Sequence, residues 1–211
     1  MTIVSGGKVL VDGVITANSV RSENLGDGSG GSILISCTAL EGRGSLTANV
    51  LGTNQSGGGG RIAIHQRAVE GRGSFAGTVE AYGCASCGTV YYGGKGAGTS
   101  GGEVLLRNGK PMQNARTGTE LPVAGPGGDR VKDFRATTFT LDNNSQLALT
   151  ADITVKEVEI PAANGKIYLN GHTLTILSRK HRDERGWPEN AVVKDGGQII
   201  WRGGGMAIIV R

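Results

Sequence analysis

The chain has 211 residues, of which 38 are glycine, 37% are hydrophobic and only 4% are aromatic, so it is long enough to bury a core and too apolar to be disordered. Its net charge is +4 at pH 7, with basic residues scattered except in one run, which does not favour a nucleic-acid partner, and no apolar stretch is long enough to cross a membrane. Repeated β units with glycine at their corners reconcile these properties, and we expect one such domain over residues 1–211.

The chain opens on MTIVSGGKVL, which has no charged segment followed by an apolar one, so no signal peptide is visible. The segment 7–18, GKVLVDGVITAN, already has the outline of the units that follow, and its ITAN is echoed by LTAN at 46–49. Because the strand pattern continues to both ends, we expect the chain to be part of a longer secreted protein rather than a cytoplasmic one.

A six-residue motif recurs almost unchanged in the sequence. LEGRGS begins at residue 40 and VEGRGS begins at residue 69. Residues 31–46 align with residues 60–75 without a gap, which places Ile33 on Ile62. Alternating apolar residues are typical of half-buried strands, and a fixed spacing indicates a repeated unit. We expect stacked coils of about 28–33 residues, each with two or three short strands, over residues 1–106.

The repeated EGRGS is predicted to be a corner of each coil. The glycines that would supply a positive φ or a close backbone approach there are Gly42, Gly44, Gly71 and Gly73. Stacked coils would bring Glu41 close to Glu70 and Arg43 close to Arg72, with diagonal Glu–Arg pairs offsetting the repulsion. The alternative is that these charges contact a ligand.

The strand register also predicts an outward-facing column. If the isoleucines point inward, Leu34, Ala63 and Tyr91 point outward, one above another, and Leu105 would continue the column. Tyr92, the next residue along the strand, would then point inward.

Polar residues flank this column in the sequence register. Sugar rings stack on aromatic faces, and sugar hydroxyls need donors and acceptors, so the column and its flanks are a candidate platform for a polysaccharide. The alternative is that stacked apolar residues only stabilise the sheet. The candidate ligand-binding residues are Tyr91, Arg61, His65 and Glu103.

Two of the three cysteines lie in GCASCG, residues 83–88. A single pair of cysteines does not complete a zinc site, and no βαβ pattern surrounds it. We expect Cys84 and Cys87 to form either a small disulfide or two thiols in a glycine-rich turn.

The second part of the chain keeps the alternation of apolar and polar residues that is typical of strands, but it is much less rich in glycine. Residues 107–137 contain three of the five prolines and no clear alternation, so they are predicted to be a long loop excursion. Residues 138–211 are predicted to form further coils, interrupted by the charged loop 178–190, SRKHRDERGWPEN. That loop is either a solvated surface loop or one that closes over a ligand, with Trp187 stacking and Arg182 or Arg185 donating hydrogen bonds.

Several of these segments resemble a known class of repeats. GSGGSILIS, the GRGSLTAN turn, SGGGGRIAIH and NGHTLTIL resemble the glycine-rich repeats of secreted bacterial parallel β-helix proteins. Relatives with that architecture include polysaccharide lyases and hydrolases, adhesins and β-helix carbohydrate-binding modules. The resemblance implies an all-β fold, a right-handed single-stranded parallel β-helix, and it carries over no catalytic residue.

The sequence gives little support for catalysis. A glycoside hydrolase needs two carboxylates about 5–10 Å apart, and no strand displays a close acidic set. Asp183, Glu184 and Glu189 form the only local acidic cluster, the three histidines are isolated, and no metal or cofactor is expected.

We therefore expect a monomeric, non-catalytic carbohydrate-binding module for an extended plant-type polysaccharide such as xylan, joined to a catalytic domain in a longer protein. The alternatives are a β-helix polysaccharide lyase or glycoside hydrolase, and a structural segment of a bacterial adhesin or surface protein. An outward acidic pair or a calcium cage would favour an enzyme, and a featureless surface would favour the structural segment.

Overall fold

The structure is a computed structural model that describes residues 1–20, 28–51, 57–95, 101–109, 118–121, 133–161, 164–178, 180 and 183–203. These residues form strands, turns and irregular segments, with no helix among them, so the chain is all-β as predicted. The strands are β1 (Thr2–Val4), β2 (Val9–Leu10), β3 (Val14–Thr16), β4 (Ser32–Cys37), β5 (Leu40–Glu41), β6 (Ser45–Thr47), β7 (Arg61–Gln66), β8 (Thr78–Glu80), β9 (Thr89–Gly93), β10 (Gly102–Leu106), β11 (Thr119–Leu121), β12 (Asp133–Leu141), β13 (Gln146–Leu149), β14 (Ile153–Glu159), β15 (Lys166–Tyr168), β16 (Thr173–Ile176), β17 (Val192–Val193) and β18 (Gln198–Trp201).

One large sheet runs through the described parts of the chain. It has nine strands in the order β1-β4-β7-β9-β10-β12-β14-β16-β18, and all neighbours are parallel except β9 and β10, which are antiparallel. The smaller sheets β2-β5 and β3-β6-β8 accompany its first four strands, and the sheet β11-β13-β15-β17 accompanies its last four. The pairing is therefore mostly parallel.

The first half follows the sequence repeat in the large sheet but departs from it after the EGRGS phrase. Ile33 pairs with Ile62, which pairs with Val90 in the next strand of the large sheet. The gapless alignment places Leu46 on Phe75, but Leu46 pairs with Val79 in the three-stranded sheet, because the chain is longer between the EGRGS phrase and the next strand in the second copy. The side chains on the inner faces of these sheets form a first core, made of Val11, Ile33, Ile35, Cys37, Leu40, Leu46, Ala48, Ile62, Ile64, Val79, Ala81, Val90, Tyr92 and Leu105.

The EGRGS phrase is a corner, as predicted. Gly42 has a φ of 112°, in the left-handed region that favours glycine. A Cβ on Gly44 would lie 2.1 Å from the carbonyl oxygen of Gly13 in the preceding pass of the chain, so this position requires a glycine for close approach. The charged residues at these corners have partners other than those expected, because Glu41 pairs with Lys8 at 2.7 Å and Arg72 pairs with Glu103 at 2.9 Å.

The echo between ITAN and LTAN is explained by hydrogen bonds between successive passes of the chain. The side-chain oxygen of Asn18 accepts from the backbone N–H of Asn49 at 2.7 Å. The side-chain oxygen of Asn49 accepts in turn from the backbone N–H of Tyr82 at 2.7 Å. The asparagines thus satisfy backbone donors where the chain leaves the strand ladder.

In the second half, successive strands alternate between two sheets, whereas in the first half they are distributed over three sheets. Leu174 pairs with Ile199 in the large sheet, and Leu147 pairs with Ile167 in the four-stranded sheet. Between the two sheets lies a second core, which contains Cys87, Leu106, Leu121, Phe139, Leu141, Leu147, Leu149, Ile153, Val155, Val158, Ile160, Ile167, Leu169, Leu174, Ile176 and Ala191.

The two cores lie on opposite faces of the large sheet. On β10, Leu105 belongs to the first core, whereas Leu106 belongs to the second and the partly buried Val104 packs against it. Successive side chains of a strand point to opposite faces, so the core changes face at this strand. The antiparallel β9–β10 pair marks the change, with Val104 opposite Tyr91 and Leu105 opposite Val90.

Two expectations about the architecture need correction. A single parallel β-helix through the whole chain is wrong, because the strand direction reverses between β9 and β10 and the two halves have different numbers of sheets. The predicted loop excursion 107–137 contains β11, which pairs with β13, and the first residues of β12. Sequence alternation missed β11 because it is only three residues long.

Candidate functional site

The outward face of the first half has the predicted register. Leu34 pairs with Ala63 and Ala63 with Tyr91, and all three side chains are only partly buried, whereas Tyr92 is 6% exposed and belongs to the first core. Arg61 is exposed and lies beside Thr89.

The reversal at β10 overturns two predicted positions. Leu105 is buried in the first core, and Val104 lies next to Tyr91 instead. Glu103 lies opposite Tyr92, on the face of the sheet away from Arg61. The parallel register of the preceding strands cannot be extended across an antiparallel pair, because the order of residues along the strand is inverted.

A groove of about 490 Å³ lies where the outward face of the first half meets the second core. We call it the Tyr91 groove, and its lining is Gly59, Gly60, Arg61, Ser86, Cys87, Gly88, Thr89, Tyr91, Val104, Gly118, Thr119, Glu120, Leu121, Phe134 and Phe139. Its apolar side includes Phe134 and Phe139, whose rings meet edge to face at 5.5 Å. Its polar side includes the exposed side chains of Arg61 and Glu120.

Tyr91 is held firmly at this groove. Its hydroxyl donates a hydrogen bond to the carbonyl oxygen of Gly101, and its ring lies 5.1 Å from that of His65. Burial raises the pKa of the Tyr91 phenol, so the hydroxyl stays protonated and acts as a donor. The structure therefore brings Tyr91, Arg61 and His65 to one surface, as the sequence predicts.

A larger groove, of about 920 Å³, lies on the opposite face of the same sheet. We call it the Glu157 groove, and its lining is Glu70, Gly71, Tyr92, Gly94, Lys95, Gly101, Gly102, Glu103, Arg135, Ala136, Thr138, Thr140, Lys156, Glu157, Glu159, Leu177, Ser178 and Lys180. It continues the face that carries the first core. Beyond β10 this face bears polar residues and is open, because the apolar residues of the second half point to the other side.

The floor of the Glu157 groove is a row of side chains on three adjacent strands. Glu103 pairs in register with Thr138, and Thr138 pairs with Glu157. The carboxylate of Glu103 accepts hydrogen bonds from Arg72 at 2.9 Å and from the hydroxyl of Thr140 at 3.1 Å. The hydrogen bond to Glu103 raises the pKa of the Arg72 guanidinium, so Arg72 stays charged and continues to donate to this carboxylate at neutral pH.

Glu157 is buried at the bottom of this groove, with 7% of its surface exposed. Its carboxylate accepts a hydrogen bond from the hydroxyl of Ser178 and another from the backbone N–H of Val158 at 3.3 Å. Among the described residues it has no ion pair, whereas the neighbouring Glu159 pairs with Lys180 at 3.2 Å.

The charged loop 178–190 lies between β16 and β17, and its described residues form turns. Trp187 is partly buried against the second core, and its ring lies 5.3 Å from that of Trp201. Arg185 is exposed and pairs with Asp183 at 2.6 Å. Arg182 lies outside the described residues. The loop therefore uses Trp187 at least partly for packing, which its sequence alone does not reveal.

The cysteines are thiols rather than disulfides, and Cys87 donates to or accepts from the hydroxyl of Thr119 at 3.3 Å. Within the described residues, no three side chains of His, Cys, Asp or Glu come together in a way that could hold a metal ion. The described part of the chain also contains no helix with the length and apolar character of a membrane span.

The expectation that no strand displays a close acidic set is wrong, because Glu157 and Glu159 lie on β14 with one residue between them and both line the Glu157 groove. The groove was therefore missed, although the sequence contains a signal for it. Thr138 and Thr140 alternate with the buried Phe139, and Glu157 and Glu159 alternate with the buried Val158. Such alternation predicts that all four polar residues share one face. Comparison with known proteins adds nothing to this geometry, since no family model, characterised protein or solved structure matches the chain.

Proposed function

We propose that this protein is a non-catalytic carbohydrate-binding module that recognises an extended plant-type polysaccharide, such as xylan, through the Tyr91 groove. The observation that carries the proposal is a fixed aromatic ring beside polar groups on a face of the sheet that remains open. Tyr91 and Phe134 offer apolar surface, and Arg61, Thr89 and Glu120 offer donors and acceptors. A sugar ring needs both, because it has apolar faces and a polar edge.

The strand arrangement supports an elongated ligand. The outward residues of β4, β7 and β9 repeat at the spacing of neighbouring strands, about 4.8 Å, so the strip from Leu34 to Tyr91 extends about 10 Å before it enters the groove. A polymer can therefore lie across the strands and place one residue in the groove. Strands hold their side chains more rigidly than loops do, which reduces the ordering cost of binding.

We further propose that the first half is a right-handed parallel β-helix with three strands in a full coil. The support is the return of the chain to each sheet in parallel register, with Val9 beside Leu40 and Ile15 beside Leu46. On this proposal the protein is a secreted module of a larger polysaccharide-degrading protein.

The experiment is isothermal titration of neutral xylan oligosaccharides into the parent, Tyr91→Ala and Tyr91→Phe. Loss of one stacking surface costs on the order of 1–3 kcal/mol, by analogy with base stacking on aromatics, so Tyr91→Ala should bind roughly 5–150-fold more weakly. Tyr91→Phe is the matched control, because it keeps the ring and removes only the hydroxyl that donates to Gly101. It should bind within about threefold of the parent.

Thermal melts of the same samples separate binding from folding. Unchanged affinity in a folded Tyr91→Ala variant would exclude the Tyr91 groove as the site. Reducing-sugar and unsaturated-product assays on xylan and on acidic plant polysaccharides test the hydrolase and lyase alternatives. Product formed by the parent would overturn the non-catalytic assignment.

A further inference from the structure

We propose that the Glu157 groove is a second ligand site, which binds a neutral, hydroxyl-rich molecule of the saccharide class. It lies on the opposite face of the sheet from the Tyr91 groove, and no residue lines both grooves. The proposal goes beyond the binding function assigned to Tyr91, and it can hold or fail separately.

The first argument is that the groove is built from strands. Its floor consists of β10, β12 and β14, which are hydrogen-bonded to one another, and its volume of about 920 Å³ lies within the range of small-molecule sites. The groove exists because the core has moved to the other face of the sheet. Its polar floor is therefore a property of the fold rather than of a loop conformation.

The second argument is the row Glu103–Thr138–Glu157. Adjacent strands lie about 4.8 Å apart, so the backbones that carry the two carboxylates are separated by about 10 Å, with the threonine between them. Each carboxylate has about four acceptor sites, and a hydroxyl both donates and accepts. A molecule with several hydroxyls on one ring can donate to both acids and exchange hydrogen bonds with Thr138.

The third argument is the burial of Glu157. A buried carboxylate is costly unless it is satisfied, and the described residues supply only two hydrogen bonds, from Ser178 and Val158, and no ion pair. The remaining acceptor capacity lies at the floor of an open groove. A ligand hydroxyl is a donor of the right kind, and it needs no counter-charge.

The fourth argument concerns the charge of the ligand. Four acidic residues, Glu70, Glu103, Glu157 and Glu159, and four basic residues, Lys95, Arg135, Lys156 and Lys180, line the groove. Arg72 already pairs with Glu103 and Lys180 with Glu159. Balanced charge gives no net attraction for an anion or a cation, so the groove favours a neutral ligand.

The test uses isothermal titration of neutral xylan oligosaccharides into the full chain with Tyr91→Ala, which removes the other proposed site. Glu157→Gln and Thr138→Val are then added separately. Each should weaken the remaining binding about tenfold or more, the effect of losing one hydrogen bond to a charged or buried group. Glu41→Gln is the matched control, because its carboxylate lies at a corner of the first half and pairs with Lys8. It should leave the affinity unchanged.

The outcomes distinguish this site from the first one. Two saccharide-binding sites in the parent and one in Tyr91→Ala support both proposals. A single saccharide-binding site that is lost with Glu157→Gln or Thr138→Val, but not with Tyr91→Ala, supports the Glu157 groove alone. Binding that survives both groove substitutions, or no binding of the oligosaccharides by the parent, overturns the second site. Ca²⁺ binding that depends on Glu157, with no saccharide binding, would identify a metal site instead. Thr138→Val keeps the test valid if Glu157→Gln does not fold.

Discussion

Leu105 and Leu106 provide a direct test of the change of core at β10. They are adjacent in the chain, yet Leu105 is 3% exposed in the first core and Leu106 is fully buried in the second. Replacing leucine by alanine removes three carbons worth about 0.8 kcal/mol each, and the cavity raises the total to roughly 2.7–5 kcal/mol. We expect both variants to lose stability by this amount, but in different halves of the molecule.

Hydrogen exchange read by mass spectrometry can locate the loss. Leu105→Ala should speed exchange in β4 and β7 by roughly 50-fold or more, and Leu106→Ala should do the same in β13 and β15, since about 1.4 kcal/mol corresponds to tenfold. Leu34→Ala is the control, because its side chain lies on the open face and its loss should cost less than about 1 kcal/mol. The same segments responding to both leucine substitutions would refute the opposite-face cores.

Two smaller predictions concern the asparagine hydrogen bonds and the thiols. Asn49→Ala should lower stability by about 1–3 kcal/mol, because the backbone N–H of Tyr82 loses its acceptor, and an unchanged melting temperature would contradict this. Burial raises the pKa of the Cys87 thiol, so iodoacetamide at pH 8 should label the less buried Cys84 first, as peptide mapping would show. Because the folded thiol has the higher pKa, its contribution to stability is present below the ordinary thiol pKa and is lost as the pH rises through the folded value. Cys87→Ser should reduce the loss of stability at alkaline pH, and a stability profile against pH identical to that of the parent would contradict this prediction.

The sequence predicts the first half well because its signals are local and repeated. Ile33 and Ile62 occupy the same place in aligned segments, and period-two alternation then decides which side chains point inward. The inward position of Tyr92 and the outward position of Tyr91 follow from the same rule and are confirmed. The corner glycines are also predictable, because the same phrase recurs, but the later start of the strand after the second copy is not.

The predicted register fails at β10, where the strand direction reverses relative to β9. Residues 96–100, which join β9 to β10, contain no signal that distinguishes a parallel return from an antiparallel one. Leu105 and Glu103 were therefore assigned to the wrong face, and the Glu157 groove was missed with them. The register of β12 on β14 also shifts between Phe134 and Thr138, so the partners of Glu157 cannot be counted from the sequence.

The continuous nine-stranded sheet has a consequence for dividing the protein. Cleavage between β9 and β10 would leave Leu105 of the first core on the second fragment and Cys87 of the second core on the first fragment. If the fragments separated, the strand edges that pair β9 with β10 would also be exposed. Each fragment would then present an open row of unpaired donors and acceptors, of the kind that pairs with another chain and aggregates. The two halves depend on each other for core side chains as well as for a covered sheet edge, so fragments made at this junction need a covered or charged edge to remain monomeric.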